Sequence, residues 1–293
     1  MPADRRVPRH RQACLPQQTT NFHPKLSHPY VGFWSIGKLL TVITGLMNRR
    51  FVVTVDPLQF DVRYGCLSRI VSFVVPYLRW HLFPRRVLGT GRWCTAYEAQ
   101  GDDNLMYSMK IGPSALCSLA HETRILRHAS RSGCGHTPRV VCYGHYGSFD
   151  VLITDVVALP LTQWAESIPS HLRCNAVVTA LPLICAALHA LHRAGIVHRD
   201  LKPQHILWTR SRWYIIDFGS AYCADVSSST HEFEYTVQYA SHRVLSGMTL
   251  TTGFSIEDDV ESLALCLKPY GVSKEHVERY YQRQKRTSLS AHV

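Results

Sequence analysis

Apolar side chains recur along the chain first at strand spacing and then at helical spacing. Runs rich in Val, Ile and Phe occupy residues 51–55 and 70–75, and β-branched and aromatic residues favour strands. Similar runs at residues 106–111, 139–146 and 150–157 continue the pattern. We therefore predict that the first half of the chain is rich in β-strands, with no recognisable chemistry before residue 81.

Helical spacing takes over in two segments. Residues 119–128 form an amphipathic pattern, as in a helix with one buried face. Its inward positions are Leu119, Ile125 and Leu126. Residues 176–194 are almost entirely apolar, contain Pro182 and end at Gly195. This composition predicts an interrupted helix that is buried in a core.

Composition adds a basic N-terminal region to a globular chain. With 46% hydrophobic and 18% charged residues in a length of 293, the chain can bury a sizeable core and lacks the composition of a disordered protein. Of the net charge of +11, a balance of +10 (13 Lys and Arg against three Asp) lies before Val87. Residues 1–29 are therefore predicted to be a solvated, disordered tail, or a nuclear-targeting or polyanion-binding arm.

The ten cysteines show no regular framework, and the N-terminus lacks the apolar core of a secretory signal. We therefore expect a reducing compartment, the cytoplasm or the nucleus. The most membrane-like run, residues 30–47, is interrupted by Lys38 and by glycines, so we expect no membrane contact. A zinc site would draw on four residues whose spacing fits no common zinc module. These are Cys134, His136, Cys142 and His145.

The most informative stretch is residues 197–207, which read Val-His-Arg-Asp-Leu-Lys-Pro-Gln-His-Ile-Leu. Asp200 and Lys202 place a carboxylate and an ammonium group two residues apart, in a turn that a proline stiffens. A strand-like segment follows and ends at a second carboxylate, Asp217. Phosphoryl transfer requires a carboxylate that orients a hydroxyl, a lysine that neutralises a phosphate, and a carboxylate that holds Mg²⁺.

These two loops, the second reading Asp-Phe-Gly at residues 217–219, resemble the catalytic and metal-binding loops of eukaryotic protein kinases. The resemblance covers about residues 83–267. It implies an α+β fold with a small β-rich lobe (residues 83–155) and a larger helical lobe (residues 156–293), with ATP and Mg²⁺ or Mn²⁺ between them. Residues 30–82 are then an N-terminal extension of unknown role.

The resemblance extends to the sequence Glu-Asp-Asp-Val-Glu-Ser-Leu at residues 257–263. It is similar to helix F of casein kinases and of fungal-type and crinkler-effector kinases. Only 30 residues follow the similar segment, so the resemblance implies a helical lobe that is truncated after this helix.

Individual roles also follow from the resemblance. Lys202 is typical of Ser/Thr kinases, since tyrosine kinases have alanine there, so the implied substrate is a Ser or Thr hydroxyl of a protein. The implied catalytic residues are Asp200 and Lys202, and the implied metal ligands are Asp217 and His205. Nucleotide contacts are implied for Gly89, Gly91, Lys110, Glu122, Asp155 and Val157. Structural support is implied for His198, Arg199, Phe218, Gly219, Thr236 and Asp259.

Four positions depart from the family pattern. Cys94 replaces the third glycine of the phosphate loop, Ala96 replaces the following valine, and Arg243 stands where the family has a glutamate. His205 replaces the asparagine that gives Mg²⁺ an oxygen ligand. Because imidazole is a softer ligand, His205 either weakens one metal position or turns to the loop backbone while a water completes the metal shell.

Two functions stay open on these motifs. The first is an active Ser/Thr protein kinase. The second is a pseudokinase, a nucleotide- or protein-binding module with little or no catalysis. A third class, a nucleic-acid-binding protein led by its basic N-terminal region, explains none of the motifs.

Overall fold

The computed structural model describes residues 40–46, 49–55, 60–61, 66–67, 71–75, 78–101, 103–146, 148–226 and 235–290, with side chains from Leu82 onward except at residues 146 and 288–290. All of these residues belong to one unit of the chain, residues 36–293. The predicted basic tail at residues 1–29 lies outside the described residues.

One large antiparallel sheet dominates the first half of the described chain. Its strands follow the order β1-β2-β5-β6-β7-β8-β10-β9. The strands are β1 Leu40–Leu46, β2 Arg49–Val55, β5 Val71–Val75, β6 Leu78–Thr90, β7 Thr95–Gly101, β8 Met106–Pro113, β9 Val140–Tyr146 and β10 Phe149–Thr154. A separate short pair consists of β3 Phe60–Asp61 and β4 Cys66–Leu67.

The apolar runs at residues 51–55 and 70–75 form strands β2 and β5, as their composition predicts. Strand β5 pairs with β6 through the register Val71↔Leu82, so the sheet continues across the predicted boundary between residues 82 and 83. Strand β1 occupies the second half of the apolar run at residues 30–47.

Alternating side chains of the later strands form a small apolar core. Its members, which are nearly inaccessible to solvent, are Leu82, Tyr97, Ala99, Tyr107, Met109, Cys142, Val151 and Ile153. The alternation at period two is that of a sheet with one buried face. The β-rich first lobe and the helical second lobe confirm the predicted α+β, protein-kinase-like fold.

Seven helices are described. They are α1 Leu119–Arg131, α2 Leu161–Glu166, α3 Ser170–Arg193, α4 His242–Leu245, α5 Thr249–Thr252, α6 Ile256–Leu267 and α7 Lys274–Ser290. Short strands and 3-10 turns connect them: β11 Leu159–Pro160, β12 Ile196–Val197, Pro203–His205, β13 Ile206–Trp208, β14 Trp213–Ile215, β15 Tyr222–Cys223, Val237–Tyr239 and Lys268–Tyr270.

Helix α3 is the central helix of the second lobe. It runs through Pro182 without a break, although the sequence predicted an interruption there. An internal proline costs about 3 kcal/mol, and burial of the apolar face that includes Leu181, Ile184 and Leu188 offsets that cost. By length and composition α3 could cross a membrane, but half of its most apolar window is buried inside the protein, as in a core helix.

The polar C-terminal stretch forms helix α7, which packs on α3 and α6. Val277 is fully buried and Tyr281 is 3% exposed. The segment that follows the helix F-like sequence is therefore part of the folded second lobe.

Candidate active site

A cleft of 390 Å³ separates the glycine-containing hairpin of β6 and β7 from the helical lobe. Its volume lies in the range of small-molecule sites. The sequence-predicted residues that line it are Gly89, Gly91, Lys110, Glu122, Val157, Lys202, His205, Asp217 and Phe218. Sequence reasoning missed Leu88 and Leu207, which add apolar surface to its walls, because no motif distinguishes them from other core leucines.

Lys110 joins three separate elements at the back of the cleft. It lies on β8, and its Nζ is 2.7 Å from Oε1 of Glu122 on α1 and 2.9 Å from Oδ1 of Asp217. Burial acts to lower the pKa of Lys110, but the carboxylates of Asp217 and Glu122 outweigh it, so the pKa is raised and the ammonium stays charged. Burial acts to raise the pKa of Asp217, yet Lys110 and His205 hold it well below its usual range.

Two histidines fix helix α1 to the second lobe. His121 Nε2 lies 2.7 Å from the carbonyl oxygen of Ala221, and His128 Nε2 lies 2.8 Å from that of Ala194. The two are seven residues apart, about two helical turns, and so share one face of the helix. Both contacts help to hold Glu122 at Lys110. The sequence signal, a pair of histidines at this spacing, is too weak to identify them.

The loop at residues 198–202 holds its carboxylate in a network of hydrogen bonds. The backbone N–H of Thr236 donates to Oδ1 of Asp200 at 2.8 Å. Lys202 Nζ lies 3.2 Å from Oδ2 of Asp200 and 3.3 Å from Oγ1 of Thr236. Arg199 has a φ of +69°, a conformation that costs free energy in a residue with a side chain. The loop therefore presents Asp200 and Lys202 together in a fixed, strained geometry.

Asp259 on α6 braces this loop from below. Its carboxylate accepts the backbone N–H of His198 at 2.7 Å and of Arg199 at 2.9 Å. Burial acts to raise the pKa of Asp259, but the hydrogen bond and charge of His192 outweigh it and lower the pKa. Sequence reasoning missed His192, whose Nε2 lies 2.9 Å from Asp259 and whose Nδ1 lies 2.5 Å from the hydroxyl oxygen of Tyr281.

The Asp-Phe-Gly loop is equally constrained. Asp217 has a φ of +69°, and Phe218 is fully buried with its ring 5.2 Å from that of His198. A Cβ at Gly219 would lie 2.4 Å from Oγ of Ser118. Glycine is therefore required there unless Ser118 moves.

His205 faces both loops. Its Nδ1 lies 2.9 Å from the carbonyl oxygen of Asp200, and its Nε2 lies 2.9 Å from Oδ2 of Asp217. Because a carbonyl only accepts, Nδ1 carries a proton. The ring thus hydrogen-bonds the loop backbone, which is one of the two alternatives drawn from the sequence. Its second nitrogen also faces Asp217, the predicted metal ligand, as the alternative of a weakened metal position requires.

Asp155 is placed differently from the other predicted nucleotide residues. It is not among the residues that line the cleft. Its carboxylate instead accepts the backbone N–H of Arg139 at 2.8 Å and the Nε of Arg139 at 2.7 Å. The side chain of Asp155 therefore fixes the connection between the lobes, and Thr154 and Val157 line the cleft on either side of it.

Arg243 finds a partner within the same lobe. Its Nη1 lies 3.4 Å from Oδ2 of Asp258 and 2.5 Å from Oγ of Ser255. Asp258 is 3% exposed. A glutamate at position 243, as in the family, would meet a buried carboxylate here, whereas arginine pairs with it.

The four residues considered for zinc do not converge. Cys134 belongs to the large core and Cys142 to the small one. His136 Nδ1 bonds the carbonyl of Trp213, and His145 Nδ1 lies 2.6 Å from Asp150. The structure therefore gives each a separate structural contact.

Comparison with known proteins adds a family match. The model of the protein kinase domain matches residues 84–268. The chain is 33% identical over 172 residues to the serine/threonine-protein kinase PknH of Mycobacterium tuberculosis. This alignment covers 53% of this chain and 25% of PknH. The chain is 28% identical over 151 residues to the casein kinase 1-like protein HD16 of Oryza sativa subsp. japonica, covering 46% of this chain and 21% of that protein. The chain thus aligns with about a quarter of the length of these relatives.

Proposed function

The chain belongs to the protein kinase family, and from this premise we propose that it transfers the γ-phosphoryl group of ATP to a Ser or Thr hydroxyl of a protein substrate. Its relatives, among them a serine/threonine-protein kinase and a casein kinase 1-like protein, support this choice of hydroxyl.

The observation that carries the proposal is the position of Lys110. Its ammonium lies between Glu122 and Asp217, so helix α1 and the Asp-Phe-Gly loop are both in place beside the cleft. Phosphoryl transfer by a kinase depends on this joint placement. Because the three groups come from residues 12 and 107 positions apart in sequence, their convergence is a property of the fold.

In the proposed reaction each loop side chain has a separate task. Asp200 accepts a hydrogen bond from the substrate hydroxyl and orients its oxygen towards the γ-phosphorus. Lys202 lies beside Asp200 and stabilises charge on the transferred group. Lys110 binds the α- and β-phosphates, while Glu122 holds Lys110 in position. The glycines of the β6–β7 hairpin let the backbone approach the phosphates closely.

A divalent ion, when bound, neutralises phosphate charge. Asp217 offers a hard oxygen ligand for Mg²⁺ or Mn²⁺, and it fits either ion. His205 offers a nitrogen 2.9 Å from Oδ2 of Asp217. Two cis ligands of an octahedral ion with bonds of about 2.1 Å are separated by about 3.0 Å, so the pair has the spacing of a chelate. The imidazole nitrogen of His205 suits Mn²⁺ or a later transition ion better than Mg²⁺.

The second candidate function is a pseudokinase that binds nucleotide or protein without efficient catalysis. His205 favours it, since its Nε2 lies 2.9 Å from Oδ2 of Asp217 and this contact competes with a metal ion for the carboxylate. Cys94 also favours it, because its Sγ packs so closely against Gly112 that a Cβ there would lie only 2.6 Å away, and this contact restrains the phosphate loop. The intact contacts of Lys110, Glu122 and Asp200 support the active kinase.

The deciding experiment compares the wild type with Lys110→Ala and Asp217→Asn. We expect autophosphorylation, or phosphorylation of a generic basic protein substrate, to fall by several orders of magnitude in both variants, with far-UV circular dichroism unchanged. Lys285→Ala, on the exposed surface of α7, is the matched surface control. A wild type that binds ATP without transferring phosphate would support the pseudokinase, and equal transfer by all variants would refute the assigned site.

The cysteines and the N-terminal charge indicate the cellular setting and a further partner. The cysteines that the structure describes with side chains are free thiols, which supports a cytoplasmic or nuclear setting. We also retain a polyanion contact of the basic N-terminal region as part of the proposal, on its charge balance of +10 before Val87.

A further inference from the structure

A second cluster of ligating side chains lies away from the cleft, where helix α1 meets strand β15. It consists of His128, Cys223 and Asp225, and one ligand atom from each lies within 4.8 Å of the other two. His128 Nε2 is 4.0 Å from Oδ2 of Asp225. The cluster joins residues about 95 positions apart in sequence, so no local motif creates it.

We propose that these three side chains bind a zinc-class divalent ion, which ties helix α1 to the segment that follows the Asp-Phe-Gly loop. The site is separate from the nucleotide metal site and does not depend on the proposed kinase reaction.

The donor set fits such an ion. A thiolate, an imidazole and a carboxylate are the three ligand types that zinc uses in proteins. Tetrahedral coordination, with bonds of about 2.0–2.3 Å, requires ligand atoms about 3.3–3.8 Å apart. The present atoms are therefore within about 1.5 Å of the required separations. Asp225 supplies the adjustment, because its side chain is 77% exposed, and water can fill the fourth position from that side.

The ligands of the proposed site differ in exposure to solvent. Cys223 is 2% exposed, and its backbone is fixed by pairing with Ile196 on β12. His128 has a side chain that is 15% exposed. The sulfur is thus the fixed ligand, while the imidazole and the exposed carboxylate adjust to the ion and leave an open entry side.

Metal binding competes with one existing interaction. His128 Nε2 lies 2.8 Å from the carbonyl oxygen of Ala194, so the ring must turn from that acceptor to the ion. The Cys223 thiol loses its proton as the sulfur–metal bond forms, and a ring nitrogen that was protonated loses one too. Binding therefore releases protons and tightens as pH rises.

The position of the site gives it a structural consequence. His128 lies six residues after Glu122 on α1, and Cys223 lies six residues after Asp217. An ion that joins His128 to Cys223 therefore joins the two elements whose carboxylates contact Lys110. Bound metal should raise the thermal stability of the chain and hold α1 in its described position.

The test uses the purified full chain after treatment with a chelator. Co²⁺ is added as a spectroscopic probe, and Zn²⁺ affinity is measured by competition with a chromophoric chelator. We expect a thiolate-to-Co²⁺ charge-transfer band in the wild type. Cys223→Ser should abolish it, and His128→Gln and Asp225→Asn should each weaken Zn²⁺ binding at least about tenfold, as loss of even a supporting partner of a metal ligand does.

Cys174→Ser is the matched control, since Cys174 is an exposed thiol on α3, and it should bind like the wild type. Asp225→Asn changes an exposed side chain and keeps the test valid if Cys223→Ser unfolds. A band that survives Cys223→Ser, or Zn²⁺ affinity that is unchanged in Asp225→Asn and His128→Gln, would overturn the proposal.

Discussion

The Nε2 atom of His205 lies 2.9 Å from Oδ2 of Asp217, while the Nδ1 atom of the same ring lies 2.9 Å from the carbonyl oxygen of Asp200. One imidazole therefore connects the catalytic loop to the Asp-Phe-Gly loop at the position where the family has an asparagine. A donor at Nδ1 and a ligand atom at Nε2 is also the arrangement of many metal-binding histidines.

This contact predicts a change of metal preference. His205→Asn replaces the nitrogen with an amide oxygen, which Mg²⁺ prefers, and removes the contact that competes for Asp217. We expect a faster phosphoryl transfer in Mg²⁺ and a several-fold lower ratio of the Mn²⁺ rate to the Mg²⁺ rate. Transfer of the radiolabelled phosphate of ATP, at saturating metal and matched ATP occupancy, measures the Mg²⁺ rate and the ratio of the two rates.

The control for this prediction is His171→Asn, which makes the same change on the exposed surface of α3. It should leave both rates at the wild-type level. If His205→Asn is no faster than the wild type in Mg²⁺, the weakened metal position is not what limits the enzyme.

The pairing of Arg243 with Asp258 predicts that glutamate, the residue typical of the family at position 243, lowers the stability of this chain. Arg243→Ala removes the cation beside the buried Asp258, which keeps its hydrogen bonds from Ser241 and Ser255, so we expect the free energy of unfolding to fall by about 1 kcal/mol. Arg243→Glu adds a like charge and should lower the free energy of unfolding further. Chemical denaturation measures the change. Arg279→Glu, a charge reversal on the exposed surface of α7, should have little effect, and equal stability of Arg243→Glu and wild type would contradict the pairing.

Tyr281 predicts a remote effect on the catalytic loop. Its hydroxyl is hydrogen-bonded to His192, which contacts Asp259, and Asp259 holds the backbone of Arg199. Tyr281→Phe should destabilise the protein by about 1 kcal/mol and lower kcat with little change in KM for ATP, because the cleft itself is untouched. Tyr280→Phe is the matched control. A Tyr281→Phe variant with wild-type kcat would show that the relay does not reach the loop.

His189 predicts a loss of stability in mild acid. Burial lowers the pKa of this imidazole below the ordinary 6.5, so between its folded pKa and 6.5 the unfolded chain binds more protons than the folded one. Stability therefore falls as pH drops through this window. His189→Phe keeps a ring against Tyr281, which lies 5.7 Å away, and removes the titration. The decrease in Tm from pH 7.5 to 5.5 should be smaller in the variant, and identical decreases would contradict the assignment.

The basic N-terminal region predicts a separable electrostatic function. Deletion of residues 1–29, which takes away five of the 13 Lys and Arg before Val87, should weaken salt-dependent binding to single-stranded or duplex nucleic acid and make it less sensitive to salt. ATP affinity should be unchanged. A fluorescence anisotropy titration at several salt concentrations measures the first, and a nucleotide-binding titration of the same sample the second. Lost ATP affinity, or binding independent of salt, would argue against a separate arm.

Sequence alone identified the family and a β-rich first lobe followed by a helical second lobe, and it singled out Lys110, Glu122, Asp200 and Asp217 as candidate site residues. These are readable because each lies in a short motif whose spacing is fixed by local backbone geometry. The alternation of apolar residues in the strands and the amphipathic pattern of α1 are local signals of the same kind.

The tertiary structure alone decided which distant side chains meet. The contact of His205 with both loops, the pairing of Arg243 with Asp258, and the chain from Tyr281 to Asp259 join residues whose proximity depends on how helices pack. Helix α3 is continuous through Pro182, because burial of its apolar face outweighs the local helix propensity of proline. The contact of Asp155 with Arg139 is likewise a tertiary one. Pairings of this kind leave no periodic trace in a single sequence, since they depend on the packing of complete elements and not on the spacing of residues within one.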